Sequence, residues 1–140
     1  MEVTSKTTWQ GKMKFTGAAW SGHQVTMDAG TEVGGDDSAV RPMETVLIGL
    51  AGCTGMDVVS LLKKMRVDFT GLELNIRADK TEEHPHTVSR IDIEYVIRGP
   101  DINPSKLERA IELSQDRYCS VSAMLRKHCP VNHSYRIAKG

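Results

Sequence analysis

The run Val46-Leu47-Ile48-Gly49-Leu50-Ala51-Gly52-Cys53-Thr54-Gly55-Met56-Asp57-Val58-Val59 constrains this chain more than any other stretch. It carries a single charge, Asp57, and it follows Pro42, whose fixed φ suits the first turn of a helix. Glu44 near the start and Lys63, Lys64 and Arg66 near the end complement a helix dipole, so the pattern predicts one helix from Pro42 to about Arg66. At about 100° per residue, Leu47, Leu50, Val58, Leu61, Leu62 and Met65 fall on one side. Thr45, Gly49, Gly52, Cys53, Met56 and Ser60 fall on the other. Glycine in a helix interior costs about 1 kcal/mol relative to alanine, which implies that a backbone or a ligand comes close to this small-residue side. A helix apolar on both sides in so short a chain is expected to be wholly buried, part of it by a second subunit.

Strands are expected on both sides of that helix. Lys12–Thr16 and Gln24–Asp28 alternate apolar and polar residues, with Gln10-Gly11 and Ser21-Gly22 as turns and residues 34–38 as a flexible loop. Leu72–Ala78 and Ile91–Ile97 keep a period of two, which gives each one core-facing side. The loop between them holds His84-Pro85-His86, read as a polar connection rather than a metal site. Asn103 followed by Pro104 is a strong helix start, and Leu107, Ala110, Ile111 and Leu113 form its buried stripe. A break near Tyr118 precedes a short helix from Cys119 to about Lys127, and residues 132–138 read as a closing strand. The fold class is α+β, in one domain over residues 1–140.

Composition excludes several functions. Eighteen basic and eighteen acidic residues cancel, so nothing suggests nucleic acid or an anionic membrane surface as a partner. No stretch approaches the roughly 20 uninterrupted apolar residues of a membrane span. Met1–Lys6 lacks the apolar core of a signal peptide, so a cytoplasmic location is expected. There is no glycine-rich phosphate loop, no serine elbow and no HExxH sequence, and neither a cofactor nor a metal is expected.

The cysteines then carry the chemical interest. In a reducing compartment, three cysteines point to thiol chemistry or metal binding before structural disulfides. Cys53 borders the small-residue face, and Cys119 opens a helix, where backbone N–H groups favour a thiolate. A peroxidatic cysteine needs a lowered pKa, an accessible pocket and a partner thiol. Mid-helix position gives Cys53 no dipole assistance, so a cation is expected beside it. Arg41, the first arginine of the chain, is the leading candidate, with Lys6, Lys12 and Lys14 as others. The residues alone leave two readings open, a redox pair or two buried structural cysteines. Cys129, between His128 and Pro130 with His133 behind, matches no standard zinc array and reads as buried where helix hands over to strand. Asp57 is expected to cap an amide or to pair with an arginine.

Arg41-Pro42-Met43-Glu44, Gly49 to Val59, Tyr118-Cys119-Ser120-Val121 and Cys129-Pro130-Val131 together resemble the OsmC/Ohr family, over most of the chain. The resemblance implies antiparallel strands around a long buried central helix in an intertwined homodimer, with paired cysteines at the subunit interface. It also implies thiol-dependent reduction of organic hydroperoxides in oxidative-stress defence, with Cys53 peroxidatic and Cys119 resolving; Arg41, the candidate cation, and Glu44 are the further expected site residues. A small-molecule hydroperoxide and a thiol reductant are the partners this predicts. Two departures stand out. The family's hydroperoxide reductases carry an arginine on the N-terminal strands, and here none precedes Arg41. They also place glutamate directly after the helix proline, where this chain has Met43. Glu44 lies about 180° round a regular helix from Cys53 and about 13 Å along it. The alternatives are a non-enzymatic module that binds a small apolar ligand at the dimer interface, and a thiol redox sensor.

Overall fold

The computed structural model describes residues 1–140 and is of mixed α and β composition. The chain divides into two compact units, Met1–Leu47 and Ile48–Gly140.

The first unit holds β1 (Ser5–Trp9), β2 (Phe15–Ala19) and β3 (Gln24–Met27) in one antiparallel sheet with β2 central. Lys12 and Met13, expected within a strand, lie in the β1–β2 turn instead. Gly11 and Lys12 both take positive φ, +100° and +49°, and the Lys14 N–H donates to the Gly11 carbonyl at 3.0 Å. That left-handed pair holds the strand back until Phe15. The second turn falls where expected, with Gly22 at φ +88°. Residues 34–38, read as flexible, are organised by Asp28, which is buried. Its carboxylate accepts the Ser38 hydroxyl at 2.7 Å and the backbone N–H groups of Ala29, Asp36 and Ser38. The Ser38 hydroxyl and then those amides hold the Asp28 carboxyl well below the usual range. No residue of the three strands is buried within the chain.

The second unit is built on β4 (Gly71–Lys80), β5 (Val88–Arg98) and β6 (Val131–Ala138), with β5 in the middle. β4 pairs antiparallel with β5, but β6 runs parallel to it. The expectation of antiparallel strands holds for the other three strand pairs and is corrected for β6 alone. Parallel neighbours need a long crossover, and residues between Arg98 and Val131 supply it as α2 (Pro104–Leu113), one π turn (Ser114–Tyr118) and α3 (Ser120–Arg126). Asn103 caps α2 as expected, its side chain accepting from Ser105 and Lys106 N–H groups. The core gathers Ile91, Ile93, Tyr95 and Ile97 of β5 with Leu107, Ala110 and Ile111 of α2.

The long helix α1 (Pro42–Lys64) starts in the first unit and continues through the second. It stops two residues early, with Arg66 at φ +59° and the Val67 N–H returning to the Leu62 carbonyl. Leu50, Thr54, Gly55, Val58 and Leu62 are buried. Ile48 and Met56, however, remain 59% and 76% exposed, so the chain itself covers one face of α1 and not the whole helix. The glycine stripe divides in the same way. A Cβ on Gly55 would meet Leu74 Cδ1 at 3.3 Å, whereas one on Gly49 or Gly52 would meet nothing within 4 Å. Long and apolar enough to span a bilayer by composition, α1 serves as the core helix of this unit.

Candidate functional site

Cys53 and Cys119 come together in the second unit, as two unbridged thiols. α1 presents Cys53 half-buried, and the π turn delivers Cys119, 2% exposed, to the start of α3. Cys119 is the N-cap of that helix, its sulfur accepting the Ser122 N–H at 3.4 Å. Ser120 follows, with its Oγ 3.8 Å from Cys53 Sγ. The first turn of α3 therefore faces Cys53 with unpaired donors, as helix N-termini do.

The two thiols are shifted in opposite directions. Burial opposes ionisation of Cys53, but the Val121 N–H, the Cys119 thiol, and the Ser120 hydroxyl and N–H outweigh it and hold Cys53 below the ordinary cysteine value. Burial pushes the Cys119 thiol up, and donation to Cys53 raises it further against the opposing Ser122 hydroxyl and N–H. Of the two sulfurs, the proton is therefore held more firmly by Cys119 than by Cys53. The Ser122 hydroxyl is buried with no well-aligned partner of its own.

Beneath the pair lies a buried polar cluster. Thr54 Oγ1 sits 2.6 Å from Tyr95 Oη and 2.7 Å from Ser114 Oγ, and Ser114 donates to Asp57 Oδ2 at 2.9 Å. Because Ser114 spends its only proton on the carboxylate, Thr54 must donate to Ser114, and Tyr95 to Thr54. The Gln115 amide nitrogen donates to both Tyr95 and Thr54, at 2.9 and 3.1 Å. Arg126 fixes that amide by bonding the Gln115 carbonyl and Oε1. Burial raises the Tyr95 pKa, which keeps its phenol protonated for this role. Asp57 answers a serine hydroxyl rather than the amide or arginine expected for it.

The model of the OsmC-like protein family matches residues 35–134. The chain belongs to that family. This OsmC-like chain is 35% identical over 135 residues to protein YhfA of Escherichia coli K12, covering 96% of this chain and 98% of YhfA. A solved structure of a hypothetical protein from Aquifex aeolicus VF5 matches with TM-score 0.87 and 26% identity, over 100% of this chain and 98% of that one. An organic hydroperoxide resistance protein OsmC from Legionella pneumophila shares the fold at TM-score 0.70 and 13% identity, over 96% of each chain.

The other expected site residues of this OsmC-like protein are occupied within the first unit. Arg41 Nη2 pairs with Asp37 Oδ1 at 2.7 Å and Nη1 donates to the Ala39 carbonyl. The Glu44 carboxylate accepts the Arg41 backbone N–H at 2.6 Å, closing the start of α1 as the third residue of a capping box does. Lys12 pairs with Asp36. Along the exposed face of α1 runs an open groove of about 770 Å³, lined by Ile48, Gly52, Met56, Leu72 and Leu74 among others, with Lys63 its one charged residue. Cys53 neighbours Gly52 in sequence but does not line that groove. Cys129 is buried at the end of α3, and His128 Nε2 bonds the Val88 carbonyl at 2.8 Å. No group of three or more His, Cys, Asp or Glu side chains is placed to hold a metal ion. Sequence reasoning missed Ser120 and Val121 as donors to Cys53, although Cys119 at a helix start was the signal that could have found them.

Proposed function

We propose that this protein reduces organic hydroperoxides through Cys53 and Cys119, as a homodimer. The observation that carries the reading is the placement of two unbridged thiols, Cys53 on α1 and Cys119 as the cap of α3, with the Ser120 hydroxyl 3.8 Å from Cys53 Sγ; the downward shift of Cys53 and the upward shift of Cys119 agree with it. The Cys53 thiolate attacks the terminal oxygen of the hydroperoxide. The O–O bond breaks, the leaving alkoxide takes up a proton to give the alcohol, and Cys53 becomes a sulfenic acid. Cys119 then attacks that sulfur, water departs and the disulfide forms. An external thiol returns both cysteines to the reduced state. Arg41 enters this reading as a secondary cation and Glu44 as the residue that fixes the start of α1. The uncovered face of α1, together with the exposed Trp9 and Phe15, supports a dimer interface of more than about 2,000 Å² in total.

Stopped-flow mixing of the reduced protein with cumene hydroperoxide tests the activity. The wild type should consume peroxide and turn over with dithiothreitol. Cys53→Ser should lose both, and Cys119→Ser should keep the first oxidation but not the turnover. A wild-type protein inert to the peroxide would remove the enzymatic reading. The apolar groove along Ile48 and Leu74 favours a second one, a module that binds an apolar ligand there. Saturable binding of a fatty acyl probe by a protein inert to peroxide would select it.

A further inference from the structure

Ser114 touches both cysteine segments with its two polar groups. Its hydroxyl bonds Thr54 and Asp57, one and four residues after Cys53 on α1. Its carbonyl accepts the Cys119 N–H at 2.8 Å across the π turn. Ser114 is fully buried, as is Thr54, and the hydrogen-bond directions allow no idle proton between them. A π turn inserted after α2 is an unusual choice of backbone, and such turns recur at functional positions. Here it sets the step between the end of α2 and the cap of α3, and so sets where Cys119, Ser120 and Val121 lie.

We propose that Ser114 and Thr54 are positioning residues, a buried two-hydroxyl clamp that holds the first turn of α3 in register with Cys53. The inference rests on the redox reading of the two cysteines. Valine at Thr54 keeps the shape but leaves Tyr95 and Gln115 without this acceptor and Ser114 without a donor, a cost in stability that by itself moves neither cysteine. In a clamp, the donors to Cys53 also drift as soon as the hydroxyl contact is lost. The titratable and charged groups around the clamp are Cys119, Tyr95, Asp57 and Arg126, and substitution at Thr54 removes none of them from the chain.

The test compares Thr54→Val, Thr54→Ser and Ser114→Ala in the full-length reduced protein. The pH midpoint of Cys53 alkylation by iodoacetamide is followed by peptide mass spectrometry, together with closure of the Cys53–Cys119 disulfide by diamide. Thr54→Val and Ser114→Ala should raise the Cys53 midpoint by about one unit. Disulfide closure should slow roughly tenfold or more, as misplacement of reacting groups does. Thr54→Ser, which keeps the hydroxyl, should match the wild type. Should Ser114→Ala fail to fold, the Thr54 pair decides. A folded Thr54→Val protein with an unmoved midpoint and wild-type closure would overturn the clamp and leave the cluster as core filling. Neither readout needs a hydroperoxide. A shifted midpoint in a protein inert to peroxide would therefore uphold the clamp while the peroxidase reading fell.

Discussion

One face of α1, with Leu50, Thr54, Val58 and Leu62, lies fully inside the second unit, while the opposite face, with Ile48, Gly52 and Met56, is left open by that unit. By residue type alone the two faces are alike, apolar and poor in charge. The buried face differs in containing a satisfied polar cluster, Thr54 with Tyr95, Ser114 and Gln115, which only tertiary contacts can complete. The open face has no such partners and keeps its glycines without a neighbour at Gly49 and Gly52. The comparison teaches that hydrophobic patterning specifies which surfaces avoid water, but not which molecule covers them.

Substitutions on the two faces should therefore diverge. The largest effect belongs to Leu50→Ala, which leaves a cavity in a fully buried site and should lower unfolding free energy by about 2–5 kcal/mol in urea denaturation. A loss below about 1 kcal/mol would mean that this face is not the packed core described. Gly52→Leu comes next. Within the chain a Cβ there meets nothing within 4 Å and the open groove has room beyond it, so the secondary structure should survive by circular dichroism. Against a second copy the same side chain overpacks the interface by about 1–3 kcal/mol, so sedimentation should show the dimer weakened. An undisturbed dimer in that variant would break the assignment of the open face to self-association.

Two smaller effects sharpen the chemical side. Because Cys53 is held below the ordinary cysteine value and Cys119 above it, alkylation at neutral pH should modify Cys53 first. As pH rises, the Cys53 rate should level off before the Cys119 rate does, since each thiol stops gaining thiolate above its own pKa. Equal pH profiles would contradict the opposed shifts. The smallest change is expected for Arg41→Met. With the α3 amides already donating to Cys53, its midpoint should rise by well under one unit, less than about 1.4 kcal/mol of thiolate stabilisation. A larger rise would restore Arg41 as the main activating charge.

Local signals were readable in the residues themselves. Pro42 and Asn103-Pro104 mark helix starts through fixed φ and side-chain capping, and both helices begin there. The alternation in Leu72–Ala78 and Ile91–Ile97 places β4 and β5 correctly. Cys119 opens α3, directly after the break expected near Tyr118. What escaped was long-range or conformational. The parallel pairing of β6 depends on the route of the crossover, which no periodicity encodes. Asp28 gathering donors from Ala29 to Ser38, and Ser114 joining Thr54 and Asp57, link residues whose sequence spacing carries no pattern. The same holds for the donors to Cys53. Its position in mid-helix suggested the need for a cation, whereas the donors come from the start of another helix, beginning with Ser120 67 residues along.

The central claim is that Cys53 is the attacking sulfur and Cys119 the one that resolves it. Single-turnover oxidation of the reduced protein by one equivalent of cumene hydroperoxide, read by intact mass and peptide mapping, tests it most directly. The expected products are a protein lighter by two thiol hydrogens with a Cys53–Cys119 disulfide and, in Cys119→Ser, a Cys53 sulfenic acid that dimedone traps. Oxidation landing first on Cys119 or Cys129, or a wild-type mass unchanged by the peroxide, would contradict it.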